Sequence, residues 1–213
     1  MRASRTLPAG YVPGGVVTLA ANRRLALTLN LAGIPWMVVC GVAYVLLAAL
    51  VRPGGVTLSL DGVTLTRFLG VLIGGAIATT ILVLVLHEAA HGLVFWLFTR
   101  SRPTFGFKGW YAYASAPGWH LTKGRFLAVL LAPIVVLTVA GLPLVAFGPP
   151  VVALFALLGL IGNATSAIGD LYMCLRLLRV DRSAIVEDRL DGITWYVPAP
   201  RSGGAAYPAA GRR

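Results

Sequence analysis

Four apolar stretches of the chain are each long enough to cross a lipid bilayer as an α-helix. A helix needs roughly 20 residues to span the hydrocarbon core. The four stretches run over residues 25–51, 68–98, 126–147 and 150–178. The composition agrees, because 58% of the residues are apolar and only 12% are charged, too few polar side chains to cover a soluble globule. We therefore predict an all-α membrane protein, a bundle of four transmembrane helices.

The basic residues are distributed unevenly between the segments that connect these stretches. The chain has 18 Lys and Arg against 7 Asp and Glu, for a formal net charge of +11. With both termini on one side of the membrane, 16 basic residues lie on that side and only Arg52 and Arg67 lie on the other. Cytoplasmic segments carry the excess of Lys and Arg in membrane proteins, so we place both termini in the cytoplasm. There the positive charge meets anionic lipid headgroups, and we expect no nucleic-acid partner.

These features divide the chain into three segments. We expect residues 1–24 to be a basic cytoplasmic N-terminus, residues 25–178 to be the membrane domain, and residues 179–213 to be a cytoplasmic tail. The tail contains one predicted strand, Gly192–Val197, and its Pro-, Gly- and Ala-rich end is expected to be disordered. The prediction is an integral protein of a prokaryotic cytoplasmic membrane.

Two loops carry strand-like sequence. In the second loop, aromatic residues alternate with Gly and Ala between Thr104 and Ser115, a pattern typical of β-strands. We predict a short cytoplasmic β-hairpin there, between helices 2 and 3. An aromatic loop anchored at headgroup level is the alternative. In the first loop, the rough alternation of residues 56–65 predicts a small hairpin on the other side of the membrane.

A His-Glu-x-x-His motif, His87 to His91, lies inside the second apolar stretch. Residues four apart are neighbours on one face of a helix, so two imidazoles at this spacing can bind one zinc ion. Glu88, beside the first histidine, can act as general base toward a water on the metal. Ionisable side chains are costly inside a bilayer and usually have a function there. The motif therefore predicts a zinc site with catalytic chemistry.

A catalytic zinc ion usually has three protein ligands, so the motif requires one more residue. The candidates are His120 in the second loop and Asp170, the only other carboxylate within an apolar stretch. His91 lies nine residues before Arg100, and Asp170 lies nine residues before Arg179. At 1.5 Å per residue, both are about 13 Å from a basic flank. Because the second and fourth stretches run in the same direction, Asp170 can meet the histidines at one level, nearer the cytoplasmic face.

Asn163 and Ser166 share a helical face with Asp170 and interrupt the apolar sequence of the fourth stretch. Small polar side chains of this kind commonly join membrane helices by hydrogen bonds. We nevertheless include Asn163 as a candidate catalytic residue. His120 is interpreted as an ordinary interfacial histidine.

The His-Glu-x-x-His motif and the pair Gly169-Asp170 resemble membrane-embedded zinc proteases of the site-2 protease class. The chain is more similar to the putative zincin peptidases, small four-span membrane proteins of bacteria and archaea. The likeness extends over roughly residues 25–198. Further residues that carry it are Tyr111-Ala112-Tyr113, Ala116-Pro117-Gly118, Arg125-Phe126, Ala132-Pro133 and the segment 186–192.

This resemblance implies that one Zn²⁺ is bound by His87, His91 and Asp170 and that Glu88 is the base. Site-2 proteases carry an Asn-x-x-Pro motif whose asparagine stabilises the oxyanion. Here Asn163 stands near that position, but Ser166 replaces the proline and the spacing from the asparagine to the aspartate is one residue shorter.

The function expected from these features is a membrane-embedded zinc metalloprotease. It would hydrolyse peptide bonds of membrane-associated peptide or protein substrates near the cytoplasmic face, with loop 104–115 pairing with an extended substrate. One alternative is a non-proteolytic zinc-binding scaffold or inactive relative, in which the metal stabilises the bundle only. Another is a small proton or metal-ion transporter. Glu88 argues against the scaffold, and the lack of an internal repeat argues against the transporter.

Overall fold

Five α-helices make up most of the chain in a computed structural model, which describes residues 3–18, 22–107, 112–190 and 192–200. Helices α1 to α3 are each long and apolar enough to cross a membrane. The two remaining helices are bent by 43° at a short break and amount to a fourth span if they are counted as one. The helices are α1 (Arg23–Val51), α2 (Leu65–Thr99), α3 (Lys123–Phe147), α4 (Pro150–Ser166) and α5 (Ile168–Leu178).

Polar side chains mark the ends of these apolar helices. Asn22 caps α1 and Thr64 caps α2, each accepting a backbone N–H of the first turn, as residues at this position commonly do. Beyond the end of α1, the guanidinium of Arg52 donates to the carbonyl of Gly148, at 2.8 Å. This bond ties the end of α1 to the end of α3.

At the break between α4 and α5, two backbone carbonyls accept hydrogen bonds from side-chain donors. The hydroxyl of Ser166 donates to the carbonyl of Asn163 at 2.9 Å, and the indole N–H of Trp36 in α1 donates to the carbonyl of Ala164 at 2.9 Å. Insertion of side chains into the hydrogen-bond ladder is a known cause of helix bending. The fourth apolar stretch is therefore two helices, where the sequence predicted one continuous span.

Six short strands accompany the helices among the residues that the structure describes, so the protein is mostly helical, as predicted, but not purely all-α. Four of them form an antiparallel sheet in the order β1-β6-β5-β4. Tyr11 of β1 pairs with Pro198 of β6, a partner almost the whole chain away, which local sequence patterns cannot reveal. The strands are β1 (Tyr11–Thr18), β2 (Thr104–Phe107), β3 (Ala112–Ser115), β4 (His120–Thr122), β5 (Ile185–Asp188) and β6 (Gly192–Pro198).

The hairpin predicted between helices 2 and 3 is confirmed. β2 and β3 pair antiparallel, with Thr104 opposite Ser115 and Phe107 opposite Ala112. The tip of the hairpin, residues 108–111, lies outside the described residues, as does the tail end predicted to be disordered, residues 201–213. The tail strand predicted at residues 192–197 is present as β6. No strand lies between α1 and α2, so the hairpin predicted in the first loop is wrong.

Two buried apolar clusters hold the molecule together. One lies among the helices and is formed by Cys40, Tyr44, Val145, Leu160 and Ala164. The other joins the four-stranded sheet to α2, α3 and α5, and its largest members are Phe95, Leu121, Phe126, Leu130, Met173, Leu177 and Trp195. The sheet is thus packed against the helix segments that carry the predicted zinc ligands.

Candidate metal centre

The two histidines of the motif lie one turn apart on a buried face of α2. Their ring centroids are 5.0 Å apart, and His87 and His91 are only 6% and 7% exposed. This arrangement follows from the helical repeat, which places residues i and i+4 on one face. The spacing in the sequence therefore becomes a pair of adjacent imidazoles.

Helix α5 brings Asp170 to these imidazoles. Its Oδ2 lies 3.2 Å from Nε2 of His87 and 3.4 Å from Nε2 of His91. One potential ligand atom from each of the three residues lies within 4.8 Å of the other two, and within the described ranges this is the one such group of His, Cys, Asp and Glu. His120 is elsewhere, in β4, where its ring packs 5.7 Å from that of Tyr196.

The outer nitrogen of each histidine ring is held by a hydrogen bond. Nδ1 of His91 is 2.9 Å from the carbonyl oxygen of Val129, which can only accept, so this nitrogen carries the proton. The Asn163 amide donates through Nδ2 to the carbonyl of Pro133 at 3.1 Å. Its Oδ1 therefore faces Nδ1 of His87, at 3.0 Å, and that nitrogen is also protonated. The hydrogen-bond network thus assigns the same tautomer to both rings.

Nε2 of each ring therefore faces the same carboxylate oxygen of Asp170. Three atoms that carry lone pairs repel one another at these separations unless the positive charge of a proton or a metal ion lies among them. A metal ion supplies that charge, and His, His and Asp are a donor set that zinc accepts. Two ligands of one tetrahedral zinc ion are separated by about 3.3–3.5 Å. The observed 3.2 and 3.4 Å separations fit this requirement.

Glu88 lies next to this group without belonging to it. Its side chain is half-buried. Its carboxylate lies beside the backbone N–H of Ala114 in β3 and interacts electrostatically with both histidines and with Asp170. A carboxylate that adjoins a metal centre but is not a ligand is placed to exchange a proton with a reacting water.

A second carboxylate, which the sequence analysis did not single out, anchors the hairpin beside the centre. Oδ2 of Asp188, at the end of β5, accepts the backbone N–H of Ala116 at 3.1 Å. Burial raises the pKa of Asp188 above its ordinary value, although the hydrogen bonds and the nearby His91 act in the opposite direction. The four-stranded sheet is thereby linked to the end of β3, two residues from the amide that adjoins Glu88.

Val129 and Pro133 could not be recognised as part of the site from the sequence. The carbonyl of Val129 accepts Nδ1 of His91 directly, and the carbonyl of Pro133 acts on His87 through the amide of Asn163. Backbone oxygens leave no signature in residue types. The one signal in the sequence was Pro133 itself, a proline inside an apolar helix.

Comparison with known proteins gives a result consistent with this geometry. Residues 80–185 match the model of the family described as "Putative zincin peptidase", a range that includes His87, Glu88, His91 and Asp170. Searches of curated proteins and of solved structures returned no match. The chain therefore carries, over residues 80–185, the domain of the putative zincin peptidase family.

Proposed function

We propose that this protein is a membrane-embedded zinc metallopeptidase with its active site near the cytoplasmic face. The observation that carries the proposal is the convergence of His87, His91 and Asp170 beside Glu88, with both histidines oriented so that Nε2 faces the carboxylate of Asp170. The matching family model supports the peptidase class.

Each residue of the site has a distinct role in this proposal. His87, His91 and Asp170 would hold one zinc ion, which when bound would acidify water and polarise the carbonyl of the peptide bond. Glu88 takes the proton from the attacking water and passes it to the leaving amine. The catalytic role predicted for Asn163 stays a prediction. Because both polar atoms of its amide are already engaged, we propose that Asn163 orients His87.

The outer surface of the helices supports a position in the membrane. Large apolar side chains on α1 and α2 point outward, among them Leu46 (62% exposed) and Ile81 (59% exposed). Such a surface is stable against lipid and not against water. The excess of basic residues on the side of both termini favours a cytoplasmic orientation of that side.

The substrate must present an extended segment, because a helix hides its peptide carbonyls in its own hydrogen bonds. We propose that the β2–β3 hairpin holds such a segment by pairing with it. The hairpin lies beside Glu88, and Phe105 and Phe107 expose 55% and 65% of their surface, which favours a membrane-associated peptide or protein.

The chain offers a matched pair of variants for the test, because Glu88 and Glu187 are its two glutamates. Glu88→Gln is expected to retain zinc and to lose cleavage of a membrane-peptide library by about 10²- to 10⁴-fold, the usual contribution of general acid–base catalysis. Glu187→Gln, in the sheet, is expected to retain both zinc and cleavage. Zinc content is measured by elemental analysis of the purified protein.

Three results would contradict the proposal. A wild-type protein that holds zinc but cleaves nothing would be the non-proteolytic scaffold. A wild-type protein without zinc, in which His87→Ala changes nothing, would exclude the metal site. Transport of protons or metal ions by wild-type vesicles that Glu88→Gln abolishes, without any cleavage, would identify a transporter.

A further inference from the structure

Helix α3 contains a buried proline at its point of contact with the metal centre. In an α-helix each N–H donates to the carbonyl four residues earlier, but proline has no N–H to donate. Pro133 lies inside α3 with its side chain less than 2% exposed. The carbonyl of Val129, four residues earlier, therefore lacks its helical partner.

That same carbonyl accepts the proton on Nδ1 of His91, at 2.9 Å. A buried carbonyl without a donor is unfavourable, above all in an apolar surrounding. The proline thus creates an oxygen that requires a donor, and His91 supplies it. The bond that results holds the proton on Nδ1 and leaves Nε2 free to face the metal position.

The carbonyl of Pro133 itself orients the other histidine. It accepts Nδ2 of Asn163 at 3.1 Å, and this bond decides which end of the amide faces His87. A reversed amide would present its N–H₂ group to Nδ1 of His87 and would favour the tautomer that cannot bind metal through Nε2.

We propose that Pro133 is a positioning residue for both zinc-binding histidines, acting on His91 through the carbonyl of Val129 and on His87 through Asn163. The inference rests on the proposed metal site but concerns the residues that prepare it. Pro143 of the same helix provides the matched control, because its side chain is exposed and lies ten residues further along.

The test compares Pro133→Ala and Pro133→Val with Pro143→Ala. Each variant restores a backbone hydrogen bond of α3 and is expected to fold. Of the two replacements at Pro133, alanine has a smaller side chain than proline and valine has a larger one. Zinc affinity is measured by competition with a chromophoric chelator, and the ring ¹⁵N chemical shifts of His91 are recorded in the metal-free protein.

Both Pro133 variants are expected to bind zinc about 10- to 100-fold more weakly, the usual effect of losing an outer-shell partner. Their His91 rings are expected to populate both tautomers, whereas Pro143→Ala keeps the zinc affinity and the ring shifts of the wild type. Unchanged affinity and unchanged tautomer in both Pro133 variants would overturn the inference. If the wild type itself binds no zinc, the proposed function fails, and the ¹⁵N shifts alone then decide whether Pro133 sets the tautomer.

Discussion

Replacing Asn163 by leucine separates an orienting role from a catalytic one. The side chain is fully buried, and leucine removes both amide groups while it keeps an apolar side chain in their place. In the metal-free protein, His87 can move its proton to Nε2 and donate to Asp170, 3.2 Å away. The main loss is then the bond to Pro133, so the free energy of unfolding is expected to fall by only about 0.5–1.5 kcal/mol.

Zinc binding changes this balance, because the metal requires a free Nε2 on His87. The proton must then stay on Nδ1, which in Asn163→Leu is buried without a partner. Such a group costs about 1–3 kcal/mol, so the zinc dissociation constant is expected to rise by about 5- to 150-fold. The variant should therefore lose much more zinc affinity than stability.

The assay combines thermal unfolding of the metal-free protein with zinc competition in lipid nanodiscs. Thr165→Val is the control, because its hydroxyl donates to the carbonyl of Ile161 in the same helix and makes no contact with His87. If Asn163→Leu binds zinc as tightly as the wild type but turns over substrate slowly, the orienting role is refuted. Asn163 would then act on the substrate, as the sequence analysis predicted.

Three further predictions concern the rest of the molecule. Because burial raises the pKa of Asp188, the stability that its protonated carboxyl contributes is present at low pH and is lost as the pH rises through the raised pKa. Asp188→Asn should therefore raise the unfolding temperature at pH 8 and leave it unchanged at pH 4. Gly75→Val should destabilise the helix bundle by about 1–3 kcal/mol, because any Cβ at this position meets a phenylalanine ring of α4. Gly74→Val is the control, because a Cβ there faces open space, and thermal unfolding measures the stability of both variants. In intact cells, a cysteine placed at Gly54 should react with a membrane-impermeant maleimide, and one placed at Ser183 should react only after permeabilisation. The opposite pattern would contradict the cytoplasmic position of both termini.

Periodic features of the sequence predicted much of the architecture. The apolar stretches became helices, and the i, i+4 spacing placed His87 and His91 side by side. The equal distances of His91 and Asp170 from their basic flanks predicted that the two residues lie at the same level, and the carboxylate of Asp170 lies against both imidazole rings. That these three residues bind zinc stays a prediction for the experiments above.

The remaining features depend on contacts between distant backbone segments. The pairing of β1 with β6 joins residues far apart in the chain, and the sequence of neither strand identifies its partner. The bend after Ser166 depends on a hydrogen bond from Trp36, 128 residues away from the acceptor Ala164. The orientation of His91 depends on a carbonyl of Val129, and any residue type would present the same atom.

The pairing of the first strand with the last has a consequence for synthesis of the protein. Ribosomes add about 5–20 residues per second, so β1 waits on the order of ten seconds or longer before β6 leaves the exit tunnel. For much of that time Asp170 and Asp188 have not yet been synthesised. Of the proposed site, the nascent chain then contains only the two histidines and Glu88. The proposed metal centre is therefore incomplete until Asp170 has been synthesised, so it cannot bind zinc through all three residues before the fourth apolar stretch has formed.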